Sequence, residues 1–152
     1  MTVTLGLRRS VPRNVQYPIS DDEPPKQNLV LKLIDYRFEL DGSLRKGEQV
    51  IRVETPGPSM HEVGFFLLHE GKTLADFRHW RKEGSRGPAP IDALGGTLDS
   101  HDLRRIVWLR RNFCPGRCIL HCELPVATDA NTTNKGITHD DLGMIREVEI
   151  AK

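Results

Sequence analysis

The stretch GPSMHEVGFFLLHEGKTLADFRHW, residues 57–80, decides how the chain is read. Its Pro and Gly residues at 56–58 break whatever precedes them. HEVGFFLLHEG then carries a near-continuous apolar run bounded by turn residues, which reads as a strand buried on both faces. After Gly71 the rhythm changes. Leu74, Phe77 and Trp80 recur every third residue, Thr73 stands three residues before Asp76 as in a capping box, and Gly84 closes the segment. A short amphipathic helix is predicted there. His61 stands where the chain enters the buried strand, an unusual place for an imidazole.

Outward from this stretch the pattern is that of a sheet. NLVLKLIDYRFEL reads as one strand from Asn28, with Leu29, Leu31 and Leu33 on one face and Tyr36, Phe38 and Leu40 continuing a rough period of two. QVIRVET is a second strand. SRGPAPIDALGGTLDSHD, residues 85–102, reads as a long polar loop. LRRIVWLRRNF is a further strand, CPGR a hairpin turn, CILHCELPV the returning strand, residues 127–141 a loop and GMIREVEI the last strand. Six or more short strands with one helix predict an all-β antiparallel sandwich with a helical insertion. Residues 1–27, with several prolines and an acidic run, read as an extended arm, and residues 28–152 as the domain.

With 152 residues the chain suffices for one domain with a real core. A formal net charge of +1 gives no electrostatic footprint for nucleic acid or a membrane surface. No apolar run has transmembrane length, and the arginine pair near the start is not followed by the apolar segment of a signal peptide. No nucleophile elbow, zinc-protease helix or phosphate-cradling loop is present, so the chain reads as a non-enzyme.

Four residues combine into one chemistry. His61 opens the third strand, Cys122 closes the returning strand, His139 ends the following loop and Met144 starts the last strand. Two imidazoles, a thiolate and a thioether are the ligand set of a blue-copper electron-transfer site. The sulfur ligands favour Cu(I), while the imidazoles tolerate Cu(II). Taken singly, each residue has a plainer role: a capped strand-end histidine, a small buried thiol, a solvated loop histidine, a core methionine. His69, His79, His101 and His121 read as surface residues. A zinc site drawn from Cys114, Cys118 and Cys122 or His121 is disfavoured, because strand alternation sends His121 to the face opposite Cys118 and Cys122.

GPSMHEVGFFLLHEGKTLADF, CPGRCILHC and HDDLGMIREVEI together resemble the cupredoxin-like (plastocyanin- and azurin-type) domains of small, mostly exported bacterial proteins. Those domains run G-x-x-x-H-E-x-x-x-x-x-L, then G-K-T-L, then a P-G-x-Y-x-x-x-C hairpin, then H-x-x-x-G-M. The resemblance covers roughly residues 28–150. It implies a Greek-key sandwich, copper as cofactor, His61, Cys122, His139 and Met144 as its ligands, and His139 on an exposed loop as the exit for an electron. It also implies a redox partner protein or larger assembly and a periplasmic or extracellular location, although the chain as given shows no leader and is compatible with the cytoplasm. Two features depart from the pattern. Sixteen residues separate Cys122 from His139, a long connection for a preorganised trigonal site. Cys118 stands where the family has tyrosine, and Cys114 precedes the turn, an arrangement suited to a hairpin-spanning Cys114–Cys118 disulfide in an oxidising compartment. The rival reading is a metal-free binding or structural module whose arm and 125–138 loop contact a partner or a second copy of the chain.

Overall fold

Alternation of buried and exposed side chains builds the first layer. In the computed structural model, which describes residues 23–97, 106–126 and 136–152, β1 (Leu29–Ile34) buries Leu29, Leu31 and Leu33 and turns Val30, Lys32 and Ile34 outward. β3 (Gly47–Glu54) does the same with Gln49, Ile51 and Val53. With β2 (Arg37–Asp41) and β6 (Ile106–Phe113) these strands form a sheet in the order β2-β1-β3-β6. β4 (Val63–Leu68), β5 (Ile91–Thr97), β7 (Gly116–His121) and β8 (Ile145–Ile150) form the second, in the order β5-β4-β7-β8. The core between the layers holds Leu31, Leu33, Ile51, Phe65, Phe113 and Leu120, each at most 1% exposed. Fully burying a side chain of this size stabilises by roughly 1.5–3 kcal/mol.

The helix α1 (Leu74–Lys82) lies on the outer face of the second sheet. Its start is fixed by the expected capping box: Thr73 Oγ1 accepts from the Asp76 amide, and the Asp76 carboxylate accepts from the Thr73 amide. Phe77 is buried, and Leu74 and Trp80 pack beside it over Ile119 and Leu68. This cover explains why β7 is buried on both faces over its last four residues while β1 alternates.

Several sequence expectations are corrected. The segment read as one strand from Asn28 is a hairpin: Ile34 pairs with Arg37 across a two-residue turn, and Tyr36 adopts a left-handed φ of 64°. Among the described residues the strand pairs are antiparallel except β1 with β3, which is parallel. Part of the polar loop is β5. Its glycines hid it, yet one is required there: a Cβ on Gly96 would stand 1.9 Å from the Val63 carbonyl oxygen on β4. CPGR is not a hairpin, because β6 and β7 belong to different sheets and Cys114 and Pro115 carry the chain between layers. Residues 1–22 of the expected arm and 127–135 of the expected loop lie outside the described residues, and residues 23–27 are exposed and irregular. No helix among the described residues is long and apolar enough to cross a membrane.

Candidate metal centre

The loop between β7 and β8 is closed at its base by the backbone. The Cys122 amide donates to the Met144 carbonyl at 3.1 Å, and the Asp140 amide to the Cys122 carbonyl at 3.1 Å. Further out, the His139 amide donates to Leu124, and Val126 to Ile137. The two arms thus run as a short ladder, and the sixteen intervening residues leave Cys122 and His139 adjacent rather than apart. The Met144 amide also donates to the His139 carbonyl at 2.9 Å, so all three residues share one knot of hydrogen bonds.

His61 reaches the same place from the other side, on the crossing from β3 to β4. Its Nδ1 lies 3.1 Å from His139 Nδ1, and His139 Nδ1 lies 3.5 Å from Cys122 Sγ. His61, Cys122 and His139 are all buried, and one donor atom from each falls within 4.8 Å of the others. Met144 is fully buried, in the same core cluster as Cys122. The structure therefore gathers His61, Cys122 and His139 into one cluster and anchors Met144 to two of them through its backbone.

The His139 side chain is buried rather than solvated. It is 5% exposed, with the edge of Tyr36 against it at 5.3 Å between ring centroids. Burial and the neighbouring His61 depress its pKa, against a smaller opposing pull from Asp35. Two facing Nδ1 atoms in a buried site can share only one proton while both rings stay neutral. Neutral imidazoles beside a thiol are what a soft or borderline metal needs.

Cys114 and Cys118, expected to bridge, are free thiols. Cys114 is exposed between the layers' strands, while alternation along β7 turns Cys118 into the core at 0% exposure, and burial pushes its pKa up to about 12. A hairpin was the reason to pair them, and β6, which ends beside Cys114, and β7, which holds Cys118, are not neighbours in a sheet.

Two carboxylates were missed. Asp35, in the β1–β2 turn, places Oδ1 2.8 Å from His61 Nε2. Desolvation opposes its ionisation, but hydrogen bonds from His61 and Ser59 outweigh this and hold its pKa below the usual carboxylate value. Its signal was a strand-disfavouring acid in the middle of a segment of strand formers. The other is Asp140, whose Oδ2 lies 2.9 Å from His121 Nε2. His121 is not a surface residue: it is 3% exposed, edge-on to Phe66 and Phe77 under α1. Among the remaining histidines, His69 pairs with Asp92 at the surface, His79 is exposed on the last turn of α1, and His101 lies outside the described residues.

Two four-stranded sheets with a buried His–Cys–His cluster at one end define a protein with the cupredoxin-like fold. A crystal structure of sodium-dithionite-reduced auracyanin from the photosynthetic bacterium Roseiflexus castenholzii superimposes on the chain with a TM-score of 0.51 and 12% sequence identity. The match covers 81% of this chain and 95% of that one. No protein-family model matches the chain, and no curated protein sequence does.

Proposed function

We propose that the chain binds one copper ion through His61, Cys122, His139 and Met144 and passes single electrons, or carries copper, in concert with a redox partner outside the cytoplasm. The observation that supports this is the buried cluster of two imidazoles and one thiol, with a buried thioether tied to it by backbone hydrogen bonds. The donor set fits copper: the soft sulfur ligands suit Cu(I), and the imidazoles suit Cu(II). Copper supplies the one-electron couple. The protein's own residues do the rest. The closed base of the β7–β8 loop holds Cys122 and His139 at a fixed separation, so little rearrangement accompanies a change of oxidation state. The sandwich excludes water from the donor atoms, and Tyr36 shields His139. Cys122 would give up its thiol proton to solvent when a metal takes its sulfur, and a neutral His139 would offer Nδ1 by carrying its one proton on Nε2.

The test is an absorption spectrum after loading with one equivalent of Cu(II) and removing the excess, with metal content measured alongside. The expected result is an intense visible thiolate-to-copper band at one copper per chain. Bound copper without that band favours carriage over electron transfer. No retained copper overturns the reading.

A further inference from the structure

A two-residue turn delivers two different side chains to the two histidines of the cluster. Asp35 meets His61 Nε2 at 2.8 Å, and Tyr36 meets the His139 ring edge-on. The arrangement is built rather than incidental. Ser59 stands near enough to the Asp35 carboxylate to favour its ionised form. Gly57 lies against it, where a Cβ would stand 3.2 Å from Oδ1, so this position stays open for the carboxylate. The β1–β2 register fixes where the turn falls.

We propose that Asp35 is a positioning residue for the copper centre: it takes the Nε2–H of His61, fixes that tautomer, and presents the Nδ1 lone pair of His61 to the metal. In the metal-free protein the proton between the two Nδ1 atoms then belongs to His139, which donates to His61 across 3.1 Å. The inference rests on the copper reading for its electronic half and on the protein alone for its orienting half. A carboxylate on the far nitrogen makes His61 a stronger donor than a neutral acceptor would. That stabilises Cu(II) over Cu(I) and lowers the reduction potential.

The two halves are measured separately. Long-range proton–nitrogen spectra of the metal-free protein read the His61 tautomer in the wild type, Asp35→Asn and Asp35→Ala. The wild type and Asp35→Asn, whose amide oxygen still accepts, are expected to hold Nε2–H, whereas Asp35→Ala loses the single tautomer. In the copper-loaded proteins Asp35→Asn is expected to weaken Cu(II) relative to Cu(I) about tenfold, a rise of about 59 mV for a one-electron couple. A wild-type His61 protonated on Nδ1, or an Asp35→Ala protein with an unchanged tautomer, overturns the orienting role. Equal potentials for the wild type and Asp35→Asn overturn the electronic role. A wild type that shows the expected tautomer but retains no copper overturns the copper reading while upholding the orientation of His61.

Discussion

Two buried histidines meet aspartates in almost the same way and do different things. His61 Nε2 lies 2.8 Å from Asp35, and His121 Nε2 lies 2.9 Å from Asp140. The first ring turns its other nitrogen toward a second imidazole beside a thiol. The second has the rings of Phe66 and Phe77 edge-on to it, under α1. A histidine–carboxylate pair is therefore a device for orienting a ring. What surrounds the oriented ring differs: a second imidazole and a thiol beside His61, two aromatic rings against His121. The pairs also sit back to back. His121 adjoins Cys122 in sequence and Asp140 adjoins His139, so the outer bond spans the same two arms that carry the inner cluster.

The largest expected effect falls on the inner side. Cys122→Ser removes the thiolate, and the copper-loaded protein should lose its intense visible band altogether. A band that survives the change would falsify the assignment of Cys122. On the outer side, His121→Ala empties a site between two aromatic rings and leaves Asp140 without its partner. It should destabilise by about 2–4 kcal/mol, read from a urea unfolding midpoint. The wavelength of the copper band should stay in place. If the band moves as far as the midpoint does, the outer pair belongs to the metal site and the contrast fails.

A smaller effect sharpens the same contrast. Asp140→Asn keeps an oxygen that can accept from His121 and should cost about 1 kcal/mol or less. It should leave the copper potential where it was, whereas Asp35→Asn moves the potential. A shift of equal size in both would mean that the two carboxylates act through their charge on the whole site rather than through the ring each one touches.

Much of this was legible in the sequence because it is written in short-range pattern. The period of two in β1 and β3, the apolar run of β4 and the Thr73–Asp76 spacing each specify their element locally. The three clustered donors, His61, Cys122 and His139, were legible as an ordered set of residue types. What escaped was decided by partners far along the chain. The Asp35–Tyr36 turn breaks a run of strand formers only because β2 folds back on β1. The glycines of β5 resemble a loop until β4 comes close enough to require them. His121 reads as a surface residue because no partner for it is apparent in the sequence; Asp140 lies nineteen residues on, and the helix that covers it is set by the fold. The crossing at Cys114 and Pro115 has the residues of a hairpin turn, and only sheet membership shows otherwise.

The smallest effect tests that cover. Thr73→Ala removes the acceptor for the Asp76 amide and the hydroxyl that donates to the Asp76 carboxylate. Loss of such a cap costs about 1 kcal/mol. Hydrogen bonds from the Thr73 hydroxyl and backbone amide hold the Asp76 pKa below its ordinary value of 3.8. A group depressed in this way adds stability above its unfolded pKa and loses that contribution as the pH falls through the folded value. The difference in unfolding midpoint between the wild type and Thr73→Ala should therefore be full near neutral pH and should shrink below about pH 4. A difference that stays constant into acid would mean that the Thr73 oxygen acts only as the acceptor for the Asp76 amide. The bond that the Thr73 hydroxyl donates to the Asp76 carboxylate would then contribute nothing to holding α1 over His121.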